Sequence, residues 1–254
     1  MWHLHQALIE SLRAFGYVEG QNVIFENRFA EGKMERLASI AAELVSLKPD
    51  VVVVGPNTSI LAMTKASRTI PIATTYTAEP VANSLVASLA RPGGNITGLT
   101  SDVTDETYGA TKDATERLDV TVTSYEVRNI SDFGPAFSSI STETDDGMIV
   151  FSDGLTYARR QDFIDFAARA HLPTMYGSRE SVDDGGLISY GVNLAAIYRR
   201  AATFVDKILK GANPGDLPIE QPTILELVVN LRTAKAIGLS ISEKFLLRAD
   251  EVIE

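Results

Sequence analysis

Apolar residues Leu4, Ala7, Leu8, Leu12 and Phe15 recur at helical spacing and stop at Gly16, which predicts a helix at the start of the chain. NVIFENRFA alternates as a strand does, and ERLASIAAELVSLKPD predicts a helix halted by Pro49. Val51 to Val54 form a β-branched run between Pro49-Asp50 and Gly55-Pro56, the pattern of a strand buried on both faces. SILAMTKASRT follows with Ile60, Leu61, Met63, Thr64 and Ala66 at helical spacing. IPIATTYTAEP then predicts a strand with a polar end. VANSLVASLARPGG predicts a helix ended by Pro92-Gly93-Gly94, and NITGLTS a short strand.

The same alternation resumes past residue 100. SDVTDETYGATKDATERLD predicts a weakly amphipathic helix, VTVTSYEVRN a strand, SDFGPAFSSISTETDDG a helix capped by Ser131, and MIVFSDG a strand. LTYARRQDFIDFAARAHL is helical in pattern, and PTMYGSRE and GGLISYGVNL read as strands. AAIYRRAATFVDKILKGANPG is a long helix stopped at Gly211, with Lys207 and Lys210 in its last turns. TILELVVNLRTAKAIGL closes the pattern with a strand and a short helix. Two runs of β-α units joined near residue 100 predict an α/β fold of two Rossmann-like or flavodoxin-like lobes with parallel sheets.

Composition narrows the function. The 254 residues carry a net charge of −10, which works against nucleic-acid binding because phosphate contacts need clustered Lys and Arg. Cysteine is absent, so thiol catalysis, disulfides and cysteine metal sites are excluded. No apolar stretch approaches the roughly 20 residues needed to span a bilayer, so a soluble chain is expected.

In open parallel sheets the ligand crevice lies beyond the carboxyl ends of the strands. The candidate ligand-binding residues there are Pro56, Asn57 and Thr58, then Thr74, Tyr76 and Thr77, then Ser101, Ser152, Asp153, Tyr176 and Gly177. They are mostly neutral hydrogen-bonding groups, suited to a small polar or aromatic solute rather than a polyphosphate. Asn57 and Thr58 open a helix, where unpaired N–H groups and the positive end of the dipole favour a carboxylate; one of the two is expected to cap that helix. Asp153 is a candidate partner for an amino group.

Other chemistries fit less well. GPNTS lacks the lysine and second glycine of a phosphate loop. His3 and His5 lie two apart on a helix and so face different sides, which argues for surface positions rather than metal ligands; no metal and no cofactor are expected. Ser152, Asp153 and His171 could furnish a hydrolase, but no Gly-x-Ser-x-Gly elbow is present. The acid pairs Asp145-Asp146 and Asp183-Asp184 lie in turn-like stretches, where a solvated loop is the usual explanation. Tyr76, Tyr176 and Tyr190 can serve packing or ligand contact.

FGYVEGQNVIFENRFAEGKMERLASIAAELV, SLVASLARPGGNITGLT, the stretch from HLPTMYGSRE to LRTAKAIGL and the terminal RADEVIE resemble the substrate-binding proteins of ABC transporters. The likeness is strongest to the branch that binds aromatic amino acids, and it covers nearly the whole chain. It implies a type I periplasmic-binding-protein fold with an interlobe cleft, residues 1–100 and 191–218 forming one lobe and 101–190 and 219–254 the other. It implies a small organic solute, an amino acid or aromatic acid, bound without conversion, and an ABC permease as partner. It also raises Tyr76 and Tyr176 as ring contacts. The alternative is a cytosolic, hydrolase-like enzyme on the same scaffold. A ligand-sensing regulator is disfavoured because no helix-turn-helix precedes the first lobe.

The chain departs from the family pattern in two places. Met1 opens at the first helix rather than at a central strand, and about a dozen residues separate Leu99 from ATERLDVTVTSYEVR, where the family has a helix and a strand. Each lobe is therefore expected to lack its first strand. MWHLHQALIESLRAFGYVEG has no signal-peptide pattern, so the resemblance implies a periplasmic or membrane-associated extracytoplasmic protein and the literal start a cytoplasmic one.

Overall fold

A computed structural model describes residues 2–100, 105–222 and 224–254. In chain order it begins with helices α1 (Trp2–Ala14) and α2 (Leu37–Ser46), strand β1 (Val52–Val54), α3 (Asn57–Ala66), β2 (Ile72–Thr74) and β3 (Ile96–Gly98). Next come α4 (Asp105–Arg117), α5 (Phe133–Ser139), β4 (Met148–Val150), α6 (Gly154–Ala158), α7 (Arg160–Ala170), β5 (Thr174–Tyr176) and α8 (Arg179–Asp183). The chain ends with β6 (Ile188–Val192), α9 (Leu194–Leu209), β7 (Leu225–Asn230), α10 (Leu231–Ala236), α11 (Glu243–Leu246) and β8 (Glu251–Ile253). These elements form two compact units, residues 1–102 with 194–223 and residues 103–193 with 224–254. The stretch 219–222 stays with the first unit: Ile219 is buried in its core, and Glu220 bonds through its backbone to Gly98 and Thr100.

In the first unit β1, β2 and β3 make a parallel sheet in that order, with Val52 opposite Ile72 and Ile72 opposite Ile96. Every residue of β2 and β3 is buried, as continuous apolar runs covered on both faces require. Val52, Val54, Ile60, Met63, Ile72 and Ile96 form the core. Helix α1 turns Leu4, Ala7, Leu8 and Leu12 inward and packs along α9, whose buried Ala201 and Ala202 let the two backbones approach. Gly98 has φ +125°, and a Cβ there would lie 2.2 Å from the Thr74 carbonyl oxygen, so only glycine fits where β3 meets β2.

The second unit has a five-stranded sheet, β4-β5-β6-β7-β8. β4, β5 and β6 are parallel as expected, whereas β7 runs antiparallel to β6, with Ile188 opposite Val229 and Val192 opposite Leu225. The reason is connectivity. A crossover helix within one unit forces parallel entry, but β7 follows a passage through the first unit and is free to enter either way. Phe133, Phe163, Val150, Ile164 and Tyr176 make its core, with Phe137 stacked on Phe166 at 4.6 Å between centroids.

Three sequence expectations fail. NVIFENRFA and VTVTSYEVRN form no strand; the first makes only an isolated bridge, Glu19 to Val23, and Ile24 is 81% exposed. Each segment precedes, by one helix, the edge strand of its unit's sheet, β1 or β4. Alternation sets which face is apolar, but a strand forms only against a partner, and neither segment has one among the described residues. VANSLVASLARPGG is not a helix, because tertiary partners take its backbone. Leu85 and Val86 N–H bond the Pro80 carbonyl, Ala87 N–H bonds Pro92, and the Leu89 carbonyl accepts from Ile219. The helix expected to be capped by Ser131 is preceded by a 3₁₀ turn that Asn129 caps, accepting from the Ser131 amide.

Candidate functional site

In the first unit the chain leaves β1 through Gly55 and enters α3 at Pro56, the N-cap, which has φ −64° and ψ 163° and supplies no side-chain cap. Neither Asn57 nor Thr58 caps, contrary to expectation. The Pro56 carbonyl already accepts from Ser59 and Ile60, while the Asn57 and Thr58 amides donate to nothing among the described residues. Two backbone donors at the positive end of a ten-residue helix are thus unspent.

The Asn57 side chain instead ties down the loop after β2. Its Oδ1 accepts from Thr77 Oγ1 at 2.8 Å and the Ala78 amide at 2.9 Å, and its Nδ2 donates to the Ala78 carbonyl at 2.8 Å. The Asn57 side chain therefore shapes the candidate site rather than offering its carboxamide to a solute. Thr77 is buried by the same clamp. Thr74 is also buried, donating to the Leu99 carbonyl at 2.9 Å, and so drops out as a contact: its hydroxyl locks β2 to β3. Tyr76 is half-buried and Thr58 exposed. Ser101 lies outside the described residues.

In the second unit the equivalent turn is built differently. Asp153 caps α6, its Oδ1 accepting from Leu155 and Thr156 amides, both at 2.7 Å, while Thr156 Oγ1 accepts from the Asp153 amide at 2.8 Å. Oδ2 has no hydrogen-bond partner among the described residues, and the side chain is exposed. Ser152 and Gly177 are brought side by side: a Cβ on Gly177 would sit 2.9 Å from the Ser152 Cβ.

Tyr176 is not available as a ring contact. It is 2% exposed in the core of the second unit, and burial pushes its phenol far above the usual tyrosine range, outweighing a hydrogen bond with Thr174. Tyr190 on β6 is 50% exposed, so the aromatic surface expected of Tyr176 belongs to Tyr190. Strand pattern could not separate the two, because they lie on different strands, β5 and β6, and local alternation does not show which face of each is covered. His171 is the left-handed C-cap of α7, with φ 51°, a structural role. Among the described residues no group of His, Asp and Glu could hold a metal ion, and no helix is long and apolar enough to cross a membrane.

Comparison with known proteins gives this geometry a context. A protein from Clostridioides difficile named tyrosine-binding protein is 26% identical over 263 aligned positions, 92% of this chain and 76% of the relative. The aligned length exceeds the chain's 254 residues, so the relative carries sequence inside the alignment that this chain lacks. A crystal structure of a conserved domain protein from Vibrio cholerae matches with a TM-score of 0.88 at 26% identity, covering 98% of this chain and 94% of the other. A Streptococcus pneumoniae ABC domain in complex with L-Trp shares the fold, with a TM-score of 0.87 at 21% identity, 99% of this chain and 94% of that one. The sequence pattern of the family described as ABC transporter substrate binding protein matches residues 1–107 and 104–253. The two matches meet between Leu99 and Ala114, where the sequence predicts a shortened second lobe. Matched over nearly its whole length, the chain belongs to the ABC transporter substrate-binding protein family.

Proposed function

We propose that the chain is the receptor of an ABC importer, acting outside the cytoplasm, which binds an amino acid with an aromatic side chain and delivers it unconverted to a permease. Family membership is the observation that carries this reading, and the ligands named for two similar proteins, tyrosine and L-Trp, support the solute class. The first unit contributes the Asn57 and Thr58 amides, donors for a carboxylate at the positive end of α3. Asn57, Thr77 and Ala78 keep the neighbouring loop in place, with Tyr76 and the Thr58 hydroxyl beside them. Within the second unit, Asp153 Oδ2 is an acceptor suited to an ammonium, with Ser152 and Gly177 on the adjoining turns. Tyr190 adds an exposed ring. No metal or cofactor takes part.

Titration calorimetry of the purified chain with L-tyrosine, L-phenylalanine and L-tryptophan tests the reading, followed by mass spectrometry of the recovered solute. Saturable binding with the solute returned intact is the expected result. Consumption of the solute, abolished by Ser152→Ala, would replace the receptor with a hydrolase; absence of binding by all three would remove the solute class.

A further inference from the structure

The first unit carries an aromatic group that none of the candidate residues includes. Trp2 lies with its ring centroid 5.2 Å from that of His5, and His5 meets Phe29 edge-on at 6.4 Å. Trp2 is 60% exposed and Phe29 41%, so a tilted aromatic face opens to solvent. His5 Nε2 is shut from solvent with no hydrogen-bond partner among the described residues. Burial holds the imidazole below the usual histidine range, against the upward pull of the Glu19 carboxylate. At neutral pH the group is therefore uncharged and presents ring surface rather than a cation.

Its place in the fold follows from two contacts. Just beyond the carboxyl end of α1, the Tyr17 hydroxyl donates to Asp206 Oδ1 at 3.0 Å, near the carboxyl end of α9. Only three residues of α9 remain past that point, so α1, which packs along α9, must run back beside it in the same direction. At about 1.5 Å per residue, Trp2 and His5 then lie level with the first turns of α9. Those turns stand at the carboxyl end of β1, since a Cβ on Gly55 would be 3.9 Å from the Tyr198 hydroxyl. The aromatic face and the free amides of Asn57 and Thr58 thus share one end of the first unit.

We infer that Trp2, His5 and Phe29 form a ring-binding subsite that stacks on the aromatic side chain of the solute. The inference rests on the receptor reading above and deepens it. A planar ring is the occupant that matches this chemistry: aromatic pairs favour offset or edge contacts of 4.5–7 Å, and the three rings themselves carry no charge to recruit an ion. An aliphatic solute would cover the same surface without the ring-specific part of that contact.

Trp2 is the sole tryptophan, so its emission reports the subsite directly in the unaltered chain. L-phenylalanine, silent under selective tryptophan excitation, is the probe, with calorimetry run in parallel. Expected is a saturable change in Trp2 emission whose midpoint agrees with the calorimetric Kd. Phe29→Leu and Trp2→Leu should each weaken L-phenylalanine binding by roughly three- to tenfold, Trp2→Phe should restore it, and circular dichroism should be unchanged. If calorimetry shows binding while Trp2 emission stays constant and Phe29→Leu binds as tightly as the parent, the subsite is wrong and the receptor reading stands. If the parent shows no heat with any aromatic amino acid, both fall together.

Discussion

The two turns that follow the edge strands, β1 to α3 and β4 to α6, have the same plan and opposite electrostatics. At the first, the N-cap is Pro56, the leading amides are unspent, and the one amide side chain nearby, Asn57, is committed to another loop. At the second, Asp153 uses one carboxylate oxygen on the leading amides and leaves the other facing outward. The first turn leaves donors free, and the second has consumed its own donors and leaves an acceptor free. One supersecondary unit, altered by the residue at a single cap position, therefore takes on opposite charge preferences.

The severest way to break the first of these turns is to disturb its bed. Gly98→Ala puts a methyl against the Thr74 backbone in a left-handed conformation, and relief would require β2 and β3 to part. Strain and overpacking together should cost about 3 kcal/mol or more, seen as a large drop in Tm or loss of folded protein. Gly177→Ala meets a side-chain carbon at 2.9 Å and should cost less, about 1–3 kcal/mol. Equal losses would mean that the two beds are equally rigid.

Next comes the clamp. Asn57→Ala strands Thr77 Oγ1 and both polar groups of Ala78, a loss of about 1–3 kcal/mol by chemical denaturation. Asn57→Asp keeps the acceptor and gains from a negative charge at the helix start, so its stability loss should be smaller. The same charge sits beside the two free amides, and affinity for an aromatic amino acid should fall by roughly tenfold or more. Stability and binding moving together in this variant would contradict a donor site at that turn.

The cap of the second turn gives a smaller and cleaner contrast. Asp153→Ala removes the cap and should cost about 1 kcal/mol, whereas Asp153→Ser keeps a capping oxygen and should be nearly neutral. Both should weaken L-phenylalanine, and neither should affect 3-phenylpropanoate, which has no ammonium. A serine variant with full affinity for L-phenylalanine would leave Oδ2 without a role.

Much of this was legible in the sequence. The valine run, its Gly-Pro stop and the helix after it fix the first turn, and Ser152-Asp153 after MIVF fixes the second. What could not be read depended on partners distant in the chain. Asn57 finds Thr77 and Ala78 some twenty residues on, so its role as a clamp has no local signature. NVIFENRFA and VTVTSYEVRN have the alternation of strands without a neighbour to pair with. Tyr176 is buried and Tyr190 half exposed because the cover over β5 and β6 comes from elements elsewhere in the chain, which the local pattern does not show. His5 was readable only as a surface residue, since its contact with Phe29 joins a helix to a segment without regular structure.

The mildest test sets the units against each other in acid. In the first, Glu220 is held below its ordinary 4.5 by Arg200, and Asp206 below its ordinary 3.8 by Lys210 and then Tyr17. Lys210 to Asp206 is a local pair, but Arg200 to Glu220 at 2.7 Å and Tyr17 to Asp206 at 3.0 Å join residues on different elements. In the second, the lowered carboxylates are local: Glu126 is held by Arg128, and Asp132 by the Arg128 and Asn129 amides. For each depressed carboxylate the contribution is complete above the ordinary pKa and is lost as pH falls through the lower folded value, because the unfolded chain takes up the proton first. Protonation in the first unit releases contacts that hold separate elements, while in the second it frees only a turn. As pH drops from 6 to 3, the first unit should loosen earlier, by a modest margin since the pairs are partly exposed. Amide exchange of β1 and β2 follows the first unit and that of β5 and β6 the second. Coincident transitions, or an earlier one in β5 and β6, would show that the long-range pairs of the first unit add nothing the local ones do not.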